Sequence, residues 1–412
     1  MVGNGAVTDR RSARVGLQGL GAGSSVGRWL PEEENGSEPA GRARDKLLAM
    51  NDALRIIMCC LMLAGLVPSR GAAAGCELGQ VAGGVDIAVS SVTGAVIVVA
   101  QGLRIFRSTD GGSSYSDAWI GVEGSWPSVA FRGQELFVVA GRWGDPNEVF
   151  LLHSGDGGAS FSDPRTVYSS MQNLLIDPEL LVLQDGSLMV FATEMFSQSG
   201  DGLTFTIHVF RSGDDGWSWQ QLPDAVVGPA FPPAIEDAKA VELPNGELLL
   251  AYEREMVDLG ESWLEEIRSR DDGLTWEQPT VLWQDVPGAD NEPGGYLELG
   301  PDELWFLAST DEDSVETYAN AVVKRKVSTD GGSSWHDKAT LVDDPDQIVY
   351  GGAVTPPGMI VMATVRHFST PPRLLFVYHA DPQAPGIWAC APPVFIDGFE
   401  DGSGGRWSAA VP

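Results

Sequence analysis

One eight-residue pattern recurs five times along this chain and restricts sharply what it can fold into. The fullest copy is Ser328-Thr329-Asp330-Gly331-Gly332-Ser333-Ser334-Trp335; the others begin at Ser108, Ser154, Ser212 and Ser269. All read Ser-x-Asp-x-Gly-x-(Ser/Thr)-aromatic, and each follows a short apolar run such as Val149-Phe150-Leu151-Leu152-His153. Asp110, Asp156, Asp214, Asp271 and Asp330 stand at the head of a tight turn. A carboxylate there accepts hydrogen bonds from backbone N–H groups just ahead. Two positions on, Gly supplies the positive φ that other residues resist. The Ser or Thr hydroxyl adds a local bond, and the aromatic leaves the turn to pack between layers. The five aspartates are therefore read as structural.

The copies begin 46, 58, 57 and 59 residues apart, a period that signals a propeller or a related array. Each interval holds four strand-like segments. The clearest runs Ala240-Val241-Glu242-Leu243, a turn at Pro244-Asn245-Gly246, Leu248-Leu249-Leu250-Ala251-Tyr252, Trp263 to Arg268, then Thr280-Val281-Leu282-Trp283. Residues 84–107 supply strands before the first copy, and 349–387 supply a sixth set without a copy of its own. The expectation is an all-β, six-bladed propeller of four-stranded antiparallel blades over residues 76–391.

The repeated turn resembles the Asp box, or BNR repeat, of the sialidase (neuraminidase) superfamily. That resemblance implies the propeller fold and glycan or glycoconjugate partners, with an exo-glycosidase for an acidic sugar as the enzymatic form. The alternative is a non-catalytic propeller that binds glycan or protein. Family enzymes hold the substrate carboxylate with three arginines and use a Tyr–Glu nucleophile pair and an Asp acid/base. The stretch from Glu236 through Leu243-Pro244-Asn245-Gly246 to Arg254 is similar to the family's glutamate and second arginine, and Tyr350 to its late tyrosine. The resemblance thus casts Asp177, Glu236 and Tyr350 as catalytic. Two departures stand out. Residues 84–103 contain no arginine before the first box, and Tyr318-Ala319-Asn320 stands where the third arginine belongs.

Register supplies further candidates. In a propeller the boxes lie on one face, and the starts of the inner strands lie around the channel mouth on the other, where ligands bind. Six residues past the first apolar residue of a second strand stand Arg142, Arg254 and Arg366, a candidate anion clamp. The open alternative is that each pairs with an acidic neighbour. Glu194 holds the equivalent place in the third blade, and Asp237 follows Glu236; both are candidate substrate contacts. Asp86 and Glu292 add acids at other inner-strand starts.

Composition limits partners. A formal net charge of −31 repels nucleic acid and anionic membranes. Residues 1–49 read as a disordered or mis-started extension. Residues 50–75 read as a secretory signal peptide: Arg55, an apolar run from Ile56 to Val67, then Ala72-Ala73-Ala74. That run is too short to span a bilayer, which takes about 20 residues. Cys59 and Cys60 leave with the signal, so Cys76 and Cys390 remain to form a disulfide. The rival reading makes Cys76 a lipidated residue. Residues 392–412 form a tail, Phe395-Ile396-Asp397-Gly398-Phe399-Glu400 within it, that resembles a short terminal motif of diverse secreted proteins. No cofactor or metal is expected. The histidines lack metal spacing, no glycine loop joins a strand to a helix, and no loop has calcium-ligand spacing.

Overall fold

The computed structural model describes residues 76–198, 202–230, 233–256, 261–313, 320–366, 373–382 and 387–388. Among them there is no helix, hence none long and apolar enough to cross a membrane. Strand β1 (Cys76–Val81) comes first in the chain and is used last in the fold. Blade one is β2 (Val85–Val89), β3 (Val96–Ala100), β4 (Arg104–Ser108) and β5 (Ser116–Trp119). Blade two is β6 (Ser125–Arg132), β7 (Glu135–Arg142), β8 (Asn147–Ser154) and β9 (Arg165–Ser170). Blade three is β10 (Leu174–Val182), β11 (Leu188–Gln198), β12 (Gly202–Ser212) and β13 (Gln220–Ala230). Blade four is β14 (Ala234–Glu242), β15 (Leu248–Met256), β16 (Glu261–Ser269) and β17 (Thr280–Trp283). Blade five is β18 (Asn291–Glu298), β19 (Leu304–Thr310), β20 (Val322–Ser328) and β21 (His336–Val342). Blade six has β22 (Gln347–Val354), β23 (Ile360–Arg366) and β24 (Arg373–Ala380), with the short β25 (Ile387–Trp388) beside β24.

The ring closes through the chain's own start. β1 pairs antiparallel with β24, Cys76 opposite Val377, and becomes the outer strand of blade six. The expected architecture of six antiparallel blades is the one observed. The expectation that residues 349–387 alone build the sixth blade is corrected in one respect: its outer strand comes from residues 76–81. Inner strand β22 touches β2, so the six inner strands encircle one axis.

Burial explains why second strands read as continuous apolar runs. Each lies in mid-blade with both faces against neighbours, so it has no polar side. All five residues of β3 are inaccessible, as are Leu136 to Ala140 of β7 and Leu248 to Tyr252 of β15. The core is not central but lies between blades. Phe191, Phe205 and Ile207 of blade three pack on Ile235, Leu250 and Tyr252 of blade four. Val96, Val98 and Phe106 of blade one pack on Val361, Val365 and Val377 of blade six.

The repeated turns join third to fourth strands and dock on the preceding blade. Each leading Ser is buried, and its Oγ accepts the N–H of the Gly four residues on, at 2.8 Å in Ser328–Gly332. Asp330 in turn accepts the Ser334 N–H at 2.8 Å and hydroxyl at 2.6 Å. That glycine is required twice over. Gly216 has φ +79° and Gly332 +75°. A Cβ would also lie 2.2 Å from Leu151 at Gly216 and 2.5 Å from Leu249 at Gly332, both in the blade before. The box aromatics wedge into the same seams: Trp276 meets Phe191 edge-on, centroids 6.0 Å apart.

Candidate functional site

Five inner strands break register near the axis. The shifts fall between Ser125 and Ser128, Ile176 and Glu179, Glu236 and Lys239, Pro293 and Gly295, and Val349 and Gly351. A bulge re-aims one side chain and bends its strand. The residues so turned include Trp126, Asp177, Asp237 and Tyr350. The first three have φ of +49°, +45° and +51°. Backbone of this kind in residues other than Gly costs free energy and gathers at sites of function.

These bulges build one pocket on the axis. Its wall comprises Gly84, Val85, Trp126, Pro127, Asp177, Pro178, Glu179, Asp237, Ala238, Lys239 and Tyr350, drawn from five blades, around a cavity of about 30 Å³. That space suits one or two waters, or an ion, rather than a whole sugar ring. Trp143, exposed at the rim, leans on Trp126 with ring centroids 5.2 Å apart.

Charge at the axis is strongly one-sided. Asp177, Glu236 and Asp237 bring one carboxylate oxygen each within 4.8 Å of one another, and Asp237, Glu253 and Glu292 do the same. Asp177, Glu236, Glu253 and Glu292 are buried. Burial, then repulsion from Asp237 and Glu292, pushes Asp177 well above the usual carboxylate range. Burial and then Asp177 push Glu236 the same way, and burial and then Glu292 push Glu253. Burial raises Asp237 to about 7 against the pull of Lys239. Lys239 itself is committed to Glu179, 3.4 Å away. Asp86 serves as a brace: it accepts the Val129 N–H at 2.8 Å and the Ser128 hydroxyl at 3.1 Å, tying blade one to blade two.

Asp177, Asp237 and Tyr350 therefore meet in the pocket wall, with Glu236 beside them. The arginines do not join them. Arg142 pairs with Glu148 and covers the Phe150 ring, 5.0 Å from its centroid. Arg254 pairs with Glu265 at 3.3 Å, and Arg366 pairs with Asp344 over Phe376. Glu194 is buried in a separate network, held by His208 at 2.8 Å, Asn173 at 2.8 Å and Tyr168 at 3.1 Å. Cys390 and the tail from residue 392 lie outside the described residues.

The sequence profile of the BNR repeat-like domain matches residues 121–362, more than half of the chain. The chain belongs to the BNR repeat-like family. Solved structures similar to this BNR repeat-like chain include a protein of unknown function from Dyadobacter fermentans, 12% identical, covering 75% of this chain and 96% of that one, TM-score 0.58. The leech intramolecular trans-sialidase is 14% identical over 77% of this chain and 70% of its own, TM-score 0.54. The Trypanosoma rangeli sialidase is 13% identical over 76% and 56%, TM-score 0.51. A search of curated protein sequences returns no significant match. At these identities the structural likeness speaks for fold.

Several residues of this BNR repeat-like site escaped the sequence reading: Trp126, Trp143, Glu179, Lys239 and Glu253. A signal existed for the first and third. Trp126-Pro127 and Asp177-Pro178-Glu179 place Pro inside an inner strand, and Pro within a sheet marks a bulge or an edge. Glu253 carried no such mark, because it directly follows an apolar run and precedes Arg254.

Proposed function

We propose that this chain is a glycan-binding propeller that engages its ligand at the axial mouth without turning it over. One observation carries this choice over hydrolysis of an acidic sugar: Arg142, Arg254 and Arg366 are each engaged by a carboxylate, and none of them lines the pocket. Among the described residues the mouth is lined by acids with one cationic neighbour, Lys239, and that is held by Glu179. An anionic sugar meets repulsion there, not a clamp. A neutral or amino sugar fits better. Trp126 and Trp143 offer faces on which a sugar ring stacks at the rim, and Asp177, Asp237 and Tyr350 offer polar contacts below. The catalytic assignment of Asp177, Glu236 and Tyr350 belongs to the hydrolase alternative and is favoured by their proximity.

A glycan array and a fluorogenic glycoside panel, sialosides included, separate the two. Binding without turnover is expected, with Trp126→Ala weakening it about tenfold or more. Sialoside turnover abolished by Arg254→Ala would sink the binding reading and restore the clamp.

The same reading makes residues 50–75 a secretory signal, 76–391 the exported propeller and 392–412 a tail, with a Cys76–Cys390 disulfide across the closing blade. The disulfide is supported by the disulfide-bonded state of Cys76. Amino-terminal sequencing of the exported protein and non-reducing peptide mass spectrometry test both points. A mature start far from Cys76, or a lipid on that cysteine, would overturn the first.

A further inference from the structure

We propose that the acid cluster beneath the mouth is a Ca²⁺ site, with Asp177, Glu236 and Asp237 as protein ligands and Glu253 and Glu292 closing it from the far side of Asp237. The inference does not depend on what the mouth binds. It starts from unsatisfied oxygens. Asp177 Oδ1, Glu236 Oε1 and Asp237 Oδ2 are buried atoms with no hydrogen-bond partner. Asp177 and Glu236 are 8% and 3% exposed, so water cannot serve them freely. Buried polar atoms are otherwise almost always partnered, and an orphan in a native fold points to an absent water or ion.

Geometry selects a cation. One oxygen from each of the three lies within 4.8 Å of the others. Ca²⁺ holds its oxygens at about 2.4 Å, so two ligands of one ion lie at most about 5 Å apart. Asp237 belongs to both carboxylate triads, so an ion held by the first lies next to the second and all five acids contribute to its field. Strands from three neighbouring blades converge: β10 supplies Asp177, β14 supplies Glu236 and Asp237, β15 supplies Glu253 and β18 supplies Glu292. The adjoining cavity of about 30 Å³ shares Asp177 and Asp237 with the cluster and has room for a water ligand.

Chemistry then selects the metal. All donors are anionic oxygens, with no His or Cys among them. Such a set suits hard cations rather than zinc or copper. Ligands spread over three blades make a compliant cage. Ca²⁺ accepts irregular arrangements of six to eight oxygens, whereas Mg²⁺ demands near-ideal octahedra and keeps several waters. Sequence spacing could not reveal the site, since Asp177 and Glu292 are 115 positions apart (292 − 177).

The test uses the full chain, stripped with EDTA, desalted and titrated calorimetrically with CaCl₂ at about 150 mM NaCl, where exposed charges are screened beyond about 8 Å. Saturable binding of one Ca²⁺ per chain is expected, with a rise of several degrees in melting temperature. Mg²⁺ should bind at least about tenfold more weakly. The Asp177→Asn/Glu236→Gln double variant should lose at least about tenfold in Ca²⁺ affinity. Should the double variant not fold, Glu236→Gln alone keeps the side-chain shape and must show the loss. Absence of saturable heat overturns the proposal. So does an equal response to Mg²⁺, which marks screening of the acidic surface, or a folded variant with unchanged affinity.

Discussion

Ser328, rather than Asp330, is the buried hub of its turn. Asp330 is exposed at the surface, whereas Ser328 is fully buried and its Oγ accepts the Gly332 N–H at 2.8 Å. Ser328→Ala leaves that N–H without a partner and should cost about 1–3 kcal/mol, read from the urea midpoint at constant slope. His208 is a second residue with a measurable signature. Burial alone lowers its pKa, but hydrogen bonds to Glu194 and Asp224 raise it above the ordinary value of 6.5. Its folded-state pKa thus exceeds the unfolded one. The stability it adds is fully present below about pH 6.5 and is lost as pH rises through the folded value. The gap in unfolding free energy between wild type and His208→Gln should therefore narrow with rising pH. A gap that widens above neutrality would show that the imidazole is held neutral.

At the scale of elements, the bulged inner strand decides what the mouth contains. Asp237 sits at φ +51° beside Asp177 and Glu236. Asp237→Gly removes both a strained backbone and a repelling charge. Glycine's greater freedom in the unfolded chain offsets part of that gain. In EDTA the net should still be stabilising, by about 1 kcal/mol, as measured by denaturant unfolding. A destabilised variant would mean that the carboxylate makes attractive contacts stronger than its repulsions. Blades one to five were legible in sequence because three local signals agree in each: an apolar run, a turn, and a box. Inner-strand acids were legible for the same reason, since register from the boxes places Asp177, Glu236 and Asp237 at strand starts. The arginines were not. Register puts Arg142, Arg254 and Arg366 at second-strand ends. Which way a guanidinium turns depends on Glu148, Glu265 and Asp344, and those lie 6, 11 and 22 positions away from them in the chain. Trp126 was missed for a related reason: a bulge shifts a side chain between faces, and alternation cannot see it.

For the whole molecule, closure matters more than any single seam. β1 completes blade six, and blade one packs on blade six through Val96, Phe106, Val361 and Val377. Removing residues 76–81 exposes the edge of β24, an unpaired strand that invites pairing with another chain. Such a truncation should melt at lower temperature and elute as dimers or larger species in size-exclusion chromatography with light scattering. A monomer of unchanged melting temperature would show that β25 suffices to cover the edge.

The pairing of Cys76 with Val377 also sets an order in time, because it joins positions 301 apart (377 − 76). Pairing at such separation is slow, and a chain synthesised from its amino terminus finishes blades one to five before β24 exists. Every newborn copy thus passes through a stage in which its first strand is held in reserve. Moving the termini to the junction between two other blades would turn that final union into a local hairpin and shorten the wait.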